Sequence, residues 1–212
     1  MNRRDLLKQI ALLTGGVVIG GELFLTGCKT GPKPEAGFSP SNIALLDEVG
    51  ETIIPATATP GAKAAKIGEL MKIMVTDCYT EKQQSAFMQG LVDLETACDA
   101  MNGKSFMECD EAQRKELLIR LEKEARSFNQ KRDEEDKPKL EAHEQQNSKL
   151  PWKDQTEFEH SPSHYYTMMK QLTLFGFFSS ETGMTETLRH IPVPGRYDGA
   201  APYAKGEKAW AE

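Results

Sequence analysis

The chain has no run of about twenty apolar residues, so no conventional membrane-spanning helix is written into it. It has no excess of positive charge either. Lys and Arg number 26 against 32 Asp and Glu, a net charge of −6, whereas a nucleic-acid binder needs clustered cations. Sustained alternation of polar and apolar residues is missing, so β-structure is expected to be minor. No G-x-G-x-x-G follows a strand pattern, and G-x-x-x-x-G-K-[ST], G-x-S-x-G and C-x-x-C-H are all missing. The sequence therefore offers no site for a dinucleotide, a flavin, a nucleoside triphosphate or a covalently attached haem. What is present, 39% hydrophobic and 27% charged residues over 212 positions, suits one ordered domain of moderate size with appendages.

The first appendage is the most informative. Asn2-Arg3-Arg4-Asp5-Leu6-Leu7-Lys8 precedes a modestly apolar, Gly-rich stretch from Ile10 to Gly21, and Leu25-Thr26-Gly27-Cys28 follows. A basic start, a short apolar middle and small residues before a cleavage point describe an export signal rather than a structural helix. Arg3 and Arg4 resemble the twin-arginine signal, and the low hydrophobicity conferred by Gly15, Gly16, Gly20 and Gly21 fits that route. Leu25 to Cys28 reads as a lipobox, with cleavage before a lipid-bearing Cys28. Residues 1–27 are thus expected to be a twin-arginine lipoprotein signal and 28–37, with Pro32 and Pro34, a lipidated tether. Two or more acyl chains anchor stably where one does not. The expected location is the periplasmic side of a bacterial membrane.

Residues 38–212 read as a single, mainly α-helical domain of about five to six helices with an irregular C-terminal tail. Ser39-Pro40 offers an N-cap with proline at the first helical position, and Ile43, Leu46, Val49 and Ile53 hold helical spacing until Pro55. Pro60-Gly61 marks a turn. Ile67, Leu70, Met71, Met74, Val75 and Cys78 form a second apolar stripe. Thr80 with Gln83 is a capping box before Phe87, Leu91, Leu94, Cys98 and Met101, and Asn102-Gly103 closes that helix. Asp110 with Gln113 caps another, carrying Leu117, Leu118, Leu121, Ala125 and Phe128. Over 129–160 charges of both signs replace the apolar stripe and Pro138 and Pro151 interrupt it, which reads as a solvated excursion. Ser161-Pro162 opens a last helix holding Tyr165, Met168, Met169, Leu172, Phe175 and Phe178.

Chemistry-bearing residues are few. Glu157 and His160 have E-x-x-H spacing with His164 four residues on, but Pro162 breaks the helical face and no second such motif exists, so polar residues at a helix entrance are the expectation. His143 and His190 have no evident partner. Cys98 and Cys109 flank the turn at Gly103. A disulfide there would contribute roughly 3 kcal/mol, yet Cys98 completes an apolar stripe, which favours a buried free thiol.

Two further stretches carry a resemblance. The first runs Lys170-Gln171-Leu172-Thr173-Leu174-Phe175-Gly176-Phe177-Phe178-Ser179-Ser180-Glu181-Thr182-Gly183, and the second Pro192-Val193-Pro194-Gly195-Arg196-Tyr197-Asp198-Gly199. With Glu51-Thr52-Ile53-Ile54-Pro55-Ala56-Thr57, Thr59-Pro60-Gly61-Ala62 and the signal, they resemble the gluconate 2-dehydrogenase subunit 3 family from Phe38 to Trp210. Family members often carry Cys where this chain has Ala200. The resemblance implies a small, non-catalytic subunit, with no cofactor of its own, in a membrane-associated dehydrogenase. Its implied partners are a large FAD-dependent flavoprotein of the glucose-methanol-choline type, oxidising gluconate or another sugar or polyol, and a cytochrome c subunit. In this reading the folded flavoprotein is exported with the chain and held at the membrane by Cys28. The alternative is a lipid-anchored scaffold or binding protein unrelated to a dehydrogenase. Pro194, Gly195, Arg196 and Tyr197 are the candidate partner interface, because a stiffened turn presents residue types enriched in interface hot spots.

Overall fold

The computed structural model describes residues 37–193, 195, 199–200, 202 and 204–211. Arg3, Arg4 and Cys28 lie outside the described residues, as do Pro194, Arg196 and Tyr197.

Among the described residues five α-helices carry the fold: α1 Pro40–Ile53, α2 Ile67–Cys78, α3 Glu81–Asn102, α4 Glu111–Asn147 and α5 Tyr165–Ser179. Among the described residues there is no strand, only a lone bridge between Arg189 and Trp210. None of the described helices is long and apolar enough to cross a membrane. The fold is all-α, as the periodicity predicts.

The helix ends follow local chemistry. Ser39 Oγ accepts from the Asn42 amide (3.2 Å) ahead of Pro40, whose missing N–H falls where the first turn has no acceptor for it. Thr80 with Gln83 and Asp110 with Gln113 both close reciprocal capping boxes. Gly103 ends α3 at φ +67°, a backbone region that costs glycine nothing. Between α1 and α2, the Glu51 carboxylate accepts from the backbone amides of Ala56 and Lys63, both at 2.8 Å, and so clamps the Pro55–Lys63 loop. A Cβ on Gly61 would sit 2.3 Å from that carboxylate and 2.6 Å from the Ala56 nitrogen, which accounts for glycine there. The stretch from Glu51 to Ala62 is a structural clamp.

Helix α5 is the centre of the described domain and lies against the four other described α-helices. Its Met168, Met169, Leu172 and Phe177 join Leu46 and Val49 of α1, Ile67 and Met71 of α2, Phe87 and Leu94 of α3, and Leu117 and Leu121 of α4 in one buried core. A Cβ on Gly176 would lie 2.2 Å from Leu70 Cδ2, so α2 and α5 approach over a bare backbone.

Two expectations are corrected. Helix α5 begins at Tyr165, capped by His164, rather than at Ser161-Pro162. Helix α4 does not end near Phe128 but continues through Pro138 to Asn147, so the first part of the solvated excursion, 129–147, is a helical arm. A polar stripe replaces the apolar one. Asn129 accepts from the His164 amide (3.0 Å) and donates to Thr167 (2.8 Å), and Arg132 donates to Ser163. Asp136 accepts from the Ser161 amide (2.7 Å) and hydroxyl (2.9 Å), while Asn147 brackets Thr156 through both backbone groups. Each of these positions follows the last by close to a whole number of helical turns, so they share one helix face and pin the extended return segment alongside the arm.

Asp136 is buried, and the Lys139 ammonium, then the Ser161 amide, hold its carboxyl far below the ordinary carboxylate value. A depressed folded value stabilises above the unfolded pKa and is lost only as pH falls through the folded one. Exchange protection of the Thr156, Ser161 and His164 amides should therefore hold from neutrality down to about pH 4. Asp136→Ala should speed exchange at Ser161 by roughly tenfold or more at pH 7 and leave the core helices unchanged. Equal exchange in the two proteins would show that Asp136 does not hold the arm.

Candidate partner interface

The polar candidates do not converge. Residues 155–164 are not helical, so the E-x-x-H spacing of Glu157 and His160 does not project two ligands together. Both side chains are exposed, and neighbouring Glu159 pairs with Lys82 of α3 at 2.7 Å. His164 is buried, and burial pushes its pKa below the ordinary value, leaving a neutral ring whose Nδ1 accepts from the Tyr166 amide (3.3 Å). It stacks on Tyr165 at 4.3 Å. Its role is the cap of α5. His143 packs edge-on against Phe158 (5.6 Å), and His190 is exposed. Among the described residues no three His, Cys, Asp or Glu side chains form a group able to hold a metal ion.

A groove of about 900 Å³ separates α3 from α4. Ala97 and Ala100 line it together with Asp93, Glu124, Arg120 and Arg132, so charges of both signs face it. That mixture selects neither anions nor cations.

The informative surface lies on α5, among the apolar residues that the sequence places on this helix. Phe175 and Phe178 do not face inward. They are 56% and 42% exposed and Leu174 is 39% exposed, whereas Phe177 is 1% exposed. Tyr166, Thr173, Gly176 and Phe177, none of them among those residues, are buried instead. Positions 171, 174, 175 and 178 share one helical face, so Leu174, Phe175 and Phe178 make an outward apolar strip with the polar Gln171 at its edge. The strip is held firmly. Lys170 pairs with Glu122 of α4 (2.8 Å), Gly176 seats α5 on α2, and Ser180 Oγ accepts from the Gly183 amide (3.0 Å) at the helix exit. Three large apolar side chains on one helix face, exposed together on a rigid element, have the composition of a protein-contact surface.

The chain after α5 presents more of the same. A π-helical turn, Gly183–Thr187, leads to Arg189, whose backbone exchanges hydrogen bonds with Ala209 (2.8 Å) and Ala211 (3.0 Å). The Arg189 guanidinium lies 3.9 Å from the Trp210 ring centre, so the two ends of the tail are fastened together. Within this closed loop Ile191, Pro192 and Val193 are exposed, and Gly195 sits exposed at φ +72°. Of the four residues expected to meet a partner, only Gly195 lies within the described set.

Phe175 and Phe178 were missed as surface residues because they fit helical spacing as well as the buried set does. A helix that touches four others buries most of its circumference, so periodicity alone cannot choose its outer face. A family model described as Gluconate 2-dehydrogenase subunit 3 matches residues 40–195, a span holding all five described α-helices and the α5 strip. No curated protein and no solved structure matches the chain.

Proposed function

The chain belongs to the gluconate 2-dehydrogenase subunit 3 family, and from that premise we propose that it is the non-catalytic small subunit of a membrane-attached FAD-dependent dehydrogenase. The large partner, a flavoprotein of the glucose-methanol-choline type, carries the FAD and oxidises gluconate or another sugar or polyol. A cytochrome c subunit takes the electrons. The observation that carries the reading is the outward strip of Leu174, Phe175 and Phe178 inside the matched segment, a surface suited to another protein. The His and Glu residues that sequence singled out serve as helix cap or exposed side chains, which fits an accessory chain better than an enzyme.

Export and anchoring follow from the N-terminal segment. A twin-arginine route carries proteins already folded, so a flavoprotein can take up FAD in the cytoplasm and cross with this chain. Cys28, once acylated, then holds the assembly at the periplasmic face. Arg3→Lys with Arg4→Lys keeps the charge but removes the planar, forked donors of the guanidinium pair. In cells making both proteins, the double variant should leave the chain and the dehydrogenase activity in the cytoplasm. Dehydrogenase exported at the normal level would show that the flavoprotein travels by its own signal.

A further inference from the structure

Cys98 and Cys109 are buried, with their sulfurs 3.3 Å apart. They stand on separately fixed pieces of chain. Cys98 lies on the core face of α3, one turn before its glycine cap, and the Asn102 amide points at its sulfur (3.8 Å). Cys109 follows the short 3-10 turn Phe106–Glu108 and directly precedes the Asp110 cap of α4. That turn is held without help from either thiol. Glu95 on α3 accepts from the Phe106 amide (3.0 Å), Glu108 accepts from the Ser105 amide (3.1 Å) and hydroxyl (2.8 Å), and Arg114 donates to the Phe106 and Met107 carbonyls (2.9 and 2.8 Å). Phe106 itself is fully buried, with the Arg114 guanidinium 5.5 Å from its ring centre. The fold thus brings two cysteines eleven residues apart into contact, and a bond needs only about 1.2 Å of further approach.

We propose that Cys98 and Cys109 form a structural disulfide in the mature protein, a cross-link that ties the end of α3 to the start of α4. The reaction is thiol–disulfide exchange with an oxidant of the disulfide class. One cysteine thiolate attacks the oxidant's sulfur and releases one thiol, and the second cysteine then displaces the other thiol from the mixed disulfide. The two cysteines lose two protons and two electrons, and the oxidant leaves as two thiols. Burial pushes the Cys98 thiol up to about 11, so in the closed fold it is a scarce nucleophile, and exchange proceeds when the 103–109 turn opens. Cys78 is exposed at the end of α2, and among the described residues no cysteine lies beside it, so it takes the same oxidant as a mixed disulfide.

The test uses the reduced full chain and oxidised glutathione, so its outcome is independent of export and of any partner. After incubation, free thiols are alkylated and the protein is digested with trypsin without reduction. Cleavage at Lys82, Lys104 and Arg114 puts Cys98 on peptide 83–104 and Cys109 on peptide 105–114, and only a disulfide keeps them together. The linked pair should replace both alkylated peptides in most molecules, while Cys78 carries glutathione. The oxidised protein should melt roughly 5–10 °C above the reduced one. Cys98→Ala with Cys109→Ala should erase that difference. Alkylated thiols or separate glutathione adducts at both positions, in a sample whose Cys78 is modified, would overturn the proposal. The peptide map is made on the unaltered chain, so it decides even where the double variant folds poorly.

Discussion

Phe175→Asp should weaken binding to the flavoprotein at least about thirtyfold, roughly 2 kcal/mol, while the melting temperature of the isolated chain moves by no more than about 2 °C. The side chain is 56% exposed on the outer face of α5, so a carboxylate there stays in water while the chain is alone. In a complex that covers the strip, the same carboxylate is desolvated without a partner, and the cost falls on association. Leu174→Asp should behave likewise, since it shares the face. Phe178 is the less clean probe, because its ring also packs edge-on against Phe177 at 5.2 Å. Titration calorimetry or biolayer interferometry on the purified pair, with a melting curve for each variant, separates the two effects. Undiminished affinity in Phe175→Asp would remove the strip from the interface.

One residue apart from Phe178, the opposite result is expected. Phe177→Ala should destabilise the chain by about 3–5 kcal/mol, because a buried ring is removed from a core that cannot fully collapse around the gap. The melting temperature should drop by roughly 10 °C or more. Phe177 is 1% exposed where α5 meets the other helices, and nothing on the surface reports its loss. Binding to the partner should suffer only in proportion to the unfolded fraction, and should recover below the melting transition. Paired with Phe175→Asp, this variant turns α5 into a two-sided test: the inner face should govern stability alone and the outer face binding alone. A melting temperature unchanged by Phe177→Ala would mean that the core of α5 lies elsewhere.

The N-terminal half of the fold was legible because its signals are local. Ser39-Pro40, the Thr80–Gln83 and Asp110–Gln113 boxes and Gly103 each satisfy backbone groups within a few residues, and the stripes of α2 and α3 face a single core. Helix α4 was legible only to Phe128. Beyond it the helix is specified by Asn129, Arg132, Asp136 and Asn147 bonding to a segment up to 38 residues away, and hydropathy carries no trace of such pairing. Proline inside the arm gave a false stop. Pro138 removes one hydrogen bond from a helix of 37 residues, and the flanking turns keep theirs. The clamp of Glu51 on the Pro55–Lys63 loop was visible as a motif but not as a contact. Its partners are backbone amides, which any sequence supplies. The proposed partner surface was only partly legible. Periodicity placed Phe175 and Phe178 on α5 without telling its outer face from its inner one, while the tail residues Pro194, Arg196 and Tyr197 lie outside the described set.

The most direct test of the accessory-subunit account is the flavin content of what this chain carries. The full chain, tagged at its C-terminus, would be expressed with a candidate large flavoprotein of the proposed type, extracted from membranes in mild detergent and purified by its tag. The account predicts FAD in an amount comparable to the chain itself, together with sugar- or polyol-dependent dye reduction in the same fraction. A folded chain eluting free of flavin and of dehydrogenase activity, from cells whose lysate contains both, would contradict it.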